Sequence, residues 1–203
     1  MRRITFDKLW GTVGVVLGVV LLAAGGLLVW GSAYIHNTVT SQLAAQQVYF
    51  PPAAAFAHPN GTEITTSMIP SVSQYAGQQL LTGQQAEAYA DHFIAVHLGE
   101  IGGGKTYAQL SEAAMALPAT SPKYAALEAQ VQTVFRGDTL RSMLLNAFGW
   151  WKVSQIAYIA ALISFGLGTI AFLAGIFGYA QAGHERPDAV VGKAPAREPV
   201  KTA

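Results

Sequence analysis

Two long stretches of this chain contain no charged side chain, and they limit what it can fold into. The first runs from Leu9 to Ile35 and the second from Val153 to Ala182. At 1.5 Å per residue, each is long enough as a helix to cross a hydrocarbon layer of about 30 Å. The sequence therefore predicts a lipid bilayer as a partner, with transmembrane helices over residues 9–35 and 151–182.

The flanking charges predict how the chain is oriented. Arg2, Arg3 and Lys8 precede the first span, and four basic residues follow the second. Because cytoplasmic flanks carry an excess of Lys and Arg, residues 1–8 and a disordered tail over 183–203 are expected in the cytoplasm of a bacterium. A cleaved signal peptide is the alternative for the first stretch, but its apolar run exceeds the roughly 7–15 residues of such signals.

Both predicted spans carry small residues at helical spacing. The candidate helix-packing residues are Gly14, Gly18 and Gly25 in the first span and Ser164, Gly168, Ala171 and Gly175 in the second. Small side chains let helix backbones approach closely, which is how helices associate inside lipid. Two arrangements are compatible with the pattern: the spans pack on each other, or they pack on another membrane protein or a second copy of the chain.

The segment between the spans, residues 36–150, is predicted to be a mainly helical extracytoplasmic domain. Four prolines between positions 49 and 73 indicate a loop there, with short extended pieces around Tyr49 and Ile69. Thr82, Thr106 and Ser121 are candidate N-caps of three helices, the first ending near Gly99. The fold class is thus mostly α, with two transmembrane helices flanking a helical domain.

The third of these helices has a predicted inner face and could continue into the second span. Its apolar residues at helical spacing are Tyr124, Leu127, Val131, Val134 and Phe135. No proline interrupts the chain between positions 122 and 187. The absence of a breaker is what allows one long helix here.

An octapeptide that begins at Gly99 and ends at Thr106, GEIGGGKT, fits the pattern of phosphate-cradling loops. That chemistry requires a buried strand before the loop and a carboxylate for magnesium within an α/β sheet. The preceding residues are predicted to be helical, so the sequence favours a flexible linker whose Thr106 caps the next helix. Nucleotide binding is not expected.

Other chemistry is weakly supported. The chain has no cysteine, which excludes thiolate metal sites and thiol catalysis, and its net charge of +1 offers no field for nucleic acid. His92 and His97 lie five residues apart, a poor spacing for metal ligands on one helix face. The spans contain no ionisable residue in their interiors, which weighs against a channel or pump. We expect no metal, no cofactor and no catalytic site.

Residues 103–110 (GGKTYAQL), Arg136 and residues 139–148 (TLRSMLLNAF) give the chain a resemblance to actinobacterial two-span membrane proteins of unknown function. The resemblance implies the same layout of two spans and an outer domain. Many of those proteins carry an automatic label as aromatic ring-opening dioxygenases. Such an enzyme needs iron held by His and carboxylate ligands in an open site, and the sequence assembles no such set.

The expected function is that of an accessory or interaction protein of the cell envelope. A ligand-sensing module that signals through a partner is the alternative, because two spans around a helical outer domain are also the layout of receptors. A ring-cleaving iron enzyme is a third class, which metal analysis would distinguish.

Overall fold

The computed structural model describes residues 2–61, 63–184, 190 and 191, and it is mostly helical, with 79% of residues in helices. Within those residues no β-strand forms. The chain divides into two compact units, one made of Met1–Ser32 with Ile156–Ala203 and the other of Ala33–Gln155. Most of the predicted tail over 183–203 lies outside the described residues.

Seven α-helices follow one another in the described chain. They are α1 (Arg3–Ala45), α2 (Ala53–Ala57), α3 (Ile69–Val72), α4 (Gly83–Tyr89), α5 (Ala95–Ile101), α6 (Tyr107–Met115) and α7 (Pro122–His184). A 3₁₀ turn, Ser73–Tyr75, follows α3, and a π-helical turn, Ala90–Ile94, joins α4 to α5. The uninterrupted helix expected from residue 122 onward is α7, which is 63 residues long.

Helices α1 and α7 are long and apolar enough to cross a membrane. Only 11% and 22% of their most apolar stretches are buried in the protein, so most of this apolar surface faces outward. A core helix of a soluble domain would bury most of such a stretch. Both helices extend beyond the spans predicted over residues 9–35 and 151–182: α1 continues to Ala45, and α7 begins at Pro122.

The three predicted helix starts are confirmed by their side-chain hydrogen bonds. Thr82 and Thr106 each accept the amide of the residue three positions on, and Gln85 and Gln109 complete the two capping boxes. Ser121 Oγ accepts the Tyr124 amide at 3.0 Å. Each of these hydrogen bonds joins residues only three positions apart, so the local sequence is sufficient to specify it.

The proline-rich segment differs from the prediction of a loop over residues 49–73. It contains α2, which begins after Pro52, and α3, in which Pro70 occupies the first turn. Proline is tolerated at these positions because the first amides of a helix have no partner within it. The extended piece expected near Ile69 is therefore wrong, whereas Tyr49 forms an isolated antiparallel bridge with Gln79.

Two other boundaries differ from the predictions. The helix expected to end at Gly99 continues to Ile101, and a π-helical turn interrupts it. Phe135, placed on the inner face of the third helix, is 50% exposed, while Val131 and Val134 are buried. The ring of Phe135 instead lies 5.5 Å from that of Tyr107. The hydrophobic spacing identified the buried face of the helix but not the limit of that face. Phe135 directly follows the buried Val134, and a helix turns by about 100° per residue, so the Phe135 side chain points away from the core.

The core of the Ala33–Gln155 unit gathers side chains from helices far apart in sequence. Met68 and Val72 are fully buried. The rings of Phe50 and Tyr89 meet edge to face, and the Tyr89 ring also contacts that of Phe93. Burial raises the pKa of the Tyr89 hydroxyl above its ordinary value of 10.0, because the anion would lose its hydration. Tyr89 is therefore a neutral packing residue at physiological pH.

Gln85 is a polar centre within this unit. Its side chain is 7% exposed, and Oε1 accepts the amides of Leu81 at 2.8 Å and Thr82 at 3.0 Å. Its Nε2 donates to Gln78 Oε1 at 3.0 Å. One side chain thus accepts hydrogen bonds from two partly buried amides, which have little access to water. These bonds hold the segment before α4 in place.

Gln85→Ala is expected to destabilise the protein by about 2–3 kcal/mol, because two partly buried amides lose their acceptor. The matched control is Gln109→Ala, which removes the same capping-box residue from an exposed helix start and should cost about 1 kcal/mol or less. Thermal unfolding of the two purified variants in mild detergent, followed by circular dichroism, measures the difference. Equal melting temperatures would show that Gln85 has no special role.

Candidate functional site

Small residues from α1 and α7 face one another within the Met1–Ser32 and Ile156–Ala203 unit. A Cβ atom added to Gly14 would lie 2.9 Å from Gly175 Cα and 2.9 Å from the Ala171 carbonyl oxygen. A Cβ on Gly175 would lie 2.5 Å from the Val15 nitrogen. These distances are shorter than van der Waals contact, so the two backbones touch at positions that accept no side chain.

Three other predicted glycines of this seam face large side chains of the opposite helix. A Cβ on Gly18 would meet Phe172 at 2.7 Å, and one on Gly25 would meet the Phe165 ring at 2.9 Å. Gly168 of α7 is the reverse case, because a Cβ added there would lie 3.1 Å from the side chains of Leu21 and Leu22 in α1. Glycine on one helix thus makes room for a ring or a branched side chain on the other.

Two polar contacts accompany the seam. Ser164 Oγ donates to the Leu21 carbonyl oxygen at 2.7 Å, and the hydroxyls of Thr12 and Tyr179 lie 2.6 Å apart. In apolar surroundings such bonds between helices contribute about 0.6–2 kcal/mol each. They also fix the rotation of each helix about its own axis, which apolar packing alone leaves loosely defined.

The structure therefore brings the predicted packing residues together within one chain. Of the two arrangements that the sequence left open, this is the intramolecular one. Contact with a partner helix through the same residues would require α1 and α7 to separate. Other surfaces of the two helices carry no such constraint: Gly26 and Gly166 have open space beside them.

The glycine-rich octapeptide lies in the Ala33–Gln155 unit, between α5 and α6. Gly103 and Gly104 have φ angles of +58° and +75°, which residues with a Cβ rarely adopt. They reverse the chain after Ile101 and deliver Thr106 to its position as N-cap of α6. The element before the loop is a helix, where a phosphate-cradling loop has a strand.

The amides of this loop are already engaged within the chain. Gly104 N–H donates to the Gly99 carbonyl at 2.7 Å, and Lys105 N–H donates to the Gly102 carbonyl at 3.1 Å. The Thr106 amide donates to Gln109 Oε1 at 3.0 Å. A phosphate-binding loop needs such amides free to donate to the phosphate. This loop therefore differs from a phosphate-binding loop in its hydrogen bonding as well as in the helix that precedes it.

A cavity of about 190 Å³ lies against the same loop. Its apolar lining includes Leu98 and Val134, both buried. The polar lining consists of Lys105, Thr106, Asp138 and Arg141. Charges of both signs therefore line one cavity, and the groups come from the glycine-rich loop and from α7.

Arg141 is held in place by Asp91. Its Nη2 donates to Asp91 Oδ1 at 2.7 Å, and the two side chains are 38% and 34% exposed. Asp91 belongs to the π-helical turn, a type of helix distortion that is frequent at functional sites. Arg141 Nε is buried and has no hydrogen-bond partner among the described residues. The ion pair with Asp91 thus orients the Arg141 guanidinium.

The two histidines singled out by the sequence are not brought together with carboxylates. His97 Nδ1 is hydrogen bonded to the Phe93 carbonyl at 2.9 Å, and the two rings lie 4.6 Å apart. His92 is exposed. In the described part of the chain, no three His, Asp or Glu side chains converge as metal ligands would.

The sequence did not identify Asp138 and Arg141 as a pair of cavity residues, although a signal was present. They continue the inward stripe of Val131 and Val134 at spacings of four and three residues. Charged residues on an inward stripe need partners or a polar opening. The ion-pair partner of Arg141 is Asp91, and the sequence did not reveal it because fifty residues separate the two.

Comparison with protein-family models, curated proteins and solved structures gives no match. The resemblance to actinobacterial two-span proteins stays a prediction that rests on the motifs in residues 103–110 and 139–148.

Gly175→Ala is expected to destabilise the packing of α1 on α7 by about 2–3 kcal/mol, because the added methyl group meets the backbone of the facing helix. Gly166→Ala is the matched control: it adds the same methyl group to the same helix in open space, and should change stability by about 1 kcal/mol or less. Thermal unfolding in mild detergent separates the two. A Gly175→Ala protein as stable as the control would contradict the observed seam.

Proposed function

We propose that this chain is a membrane-anchored accessory or interaction protein of a bacterial cell envelope. It crosses the cytoplasmic membrane twice, keeps both ends in the cytoplasm and holds the Ala33–Gln155 unit on the other side. The observation that carries the proposal is the pair of long apolar helices that pack on each other through one seam of small residues. That seam leaves their other surfaces to lipid.

The energetics of the exposed apolar side chains support the membrane. Leu27 is 70% exposed, Ile170 is 66% exposed and Phe177 is 64% exposed, and many neighbours are similar. Leaving a Leu, Ile or Phe side chain in water costs about 1.5–3 kcal/mol relative to burial. Two helices with this surface would associate or aggregate in water, whereas lipid removes the cost.

Orientation is supported by the charges at the ends of the chain. Arg2, Arg3 and Lys8 precede the first apolar stretch, and Arg186 and Lys193 follow the second. Basic residues within about 15–20 positions of a span remain in the cytoplasm. The longer segment between the spans would cross largely regardless of its charge.

An interaction role is supported by apolar residues that the helical unit leaves uncovered. Met115 is 75% exposed, and the neighbouring rings of Tyr107 and Phe135 are 40% and 50% exposed. Aromatic and methionine side chains are enriched where protein surfaces meet. The cavity beside Arg141 favours the second candidate function, a ligand-sensing module that signals through a partner.

Orientation can be tested with single cysteines, because the chain has none of its own. Ala119→Cys lies in an exposed connection between α6 and α7, and Thr5→Cys is exposed near the start of α1. A membrane-impermeant maleimide should label Ala119→Cys in intact cells and Thr5→Cys only after permeabilisation. Thr202→Cys tests the other end in the same way.

The control in this experiment is labelling in detergent, where all three cysteines should react. Labelling of Thr5→Cys or Thr202→Cys in intact cells would overturn the orientation, as would a mature protein that lacks its first 33 residues. The interaction role is tested by purification from native membranes. A strictly monomeric protein that recovers no partner would count against it.

A further inference from the structure

The cavity beside the glycine-rich loop has a mixture of charges that the protein leaves uncompensated. Lys105 is exposed and Asp138 half-buried, and both line the cavity. Neither forms an ion pair or a side-chain hydrogen bond with another residue in the described ranges. The two opposite charges thus line one cavity without forming an ion pair with each other.

The third charged group of the cavity is already oriented. Asp91 engages one end of the Arg141 guanidinium, which reduces its freedom before any ligand arrives. A preorganised guanidinium loses less entropy on binding and matches the geometry of a carboxylate.

Size and lining limit the ligand further. The cavity volume of about 190 Å³ lies below the 300–1,000 Å³ of pockets for cofactors and drug-sized molecules. Leu98, Val134 and Ala95 supply apolar lining for a short hydrocarbon group. The loop amides are engaged, so recognition must come from side chains.

We propose that this cavity binds a small zwitterion of the free amino acid type. Its carboxylate lies against Arg141 and Lys105, its protonated amine against Asp138, and its side chain against Leu98 and Val134. This site goes beyond the interaction role proposed above and does not depend on which side of the membrane the unit faces.

The experiment uses the full chain in lipid nanodiscs and titrates L-alanine, acetate and methylamine in separate calorimetric runs. L-alanine carries both charges, and each of the other probes carries one. We expect measurable binding of L-alanine, with acetate and methylamine weaker by about tenfold or more, because each forfeits one charge-assisted contact. Acetate that binds as tightly as L-alanine would show an anion site and overturn the zwitterion proposal.

Two variants test the assigned groups. Lys105→Met and Asp138→Asn should each weaken L-alanine binding by about tenfold. Lys105 and Asp138 form no ion pair or side-chain hydrogen bond in the described part of the chain, whereas Arg141 also pairs with Asp91. The matched control is Arg136→Met, on an exposed position of the same helix, which should bind as the parent does.

Two further results would overturn the proposal. One is the absence of any L-alanine binding by a chain that melts cooperatively. The other is an affinity unchanged in both Lys105→Met and Asp138→Asn. Neither outcome bears on the cysteine labelling described above, so failure of this site and failure of the proposed topology are distinguishable.

Discussion

Backbone contact between α1 and α7 is the constraint on which the Met1–Ser32 and Ile156–Ala203 unit depends. Apolar helices gain little from burying leucine against leucine when lipid is as apolar as either, so close packing and hydrogen bonds must hold them together. Gly14 and Gly175 allow that approach because they have no Cβ, and Ser164 adds a bond to the Leu21 carbonyl. The bulky residues that surround this seam are then free to face outward.

The Ala33–Gln155 unit is held by different forces. Besides parts of α1 and α7, it contains the helices α2 to α6, which have between four and nine residues each and would not be stable alone. Their stability comes from tertiary contacts, such as the burial of Met68 and Val72 and the hydrogen bonds of Gln85, and not from helix propensity alone. Local capping decides where each helix begins, and tertiary packing decides whether it persists.

How far the sequence predicted this structure depends on the distance over which each signal acts. The caps at Thr82, Thr106 and Ser121 were predictable because each depends on residues three positions apart. The apolar stretches were predictable because each is one continuous segment without charged residues. The short helices in the proline-rich segment were missed because proline within the first turn is compatible with a helix as well as a loop.

The candidate ligand site shows the complementary failure. GEIGGGKT matches a phosphate-binding pattern in every position, yet the pattern specifies residues and not the hydrogen bonds that their amides make. Here those amides form hydrogen bonds that close turns within the chain. The charged groups that line the cavity are the side chains of Lys105, Asp138 and Arg141. Arg141 is paired with Asp91, fifty residues earlier, and no local motif connects the two. The charges of this cavity therefore depend on tertiary placement, and a substitution at Asp138 or Arg141 would change them while leaving the glycine motif intact.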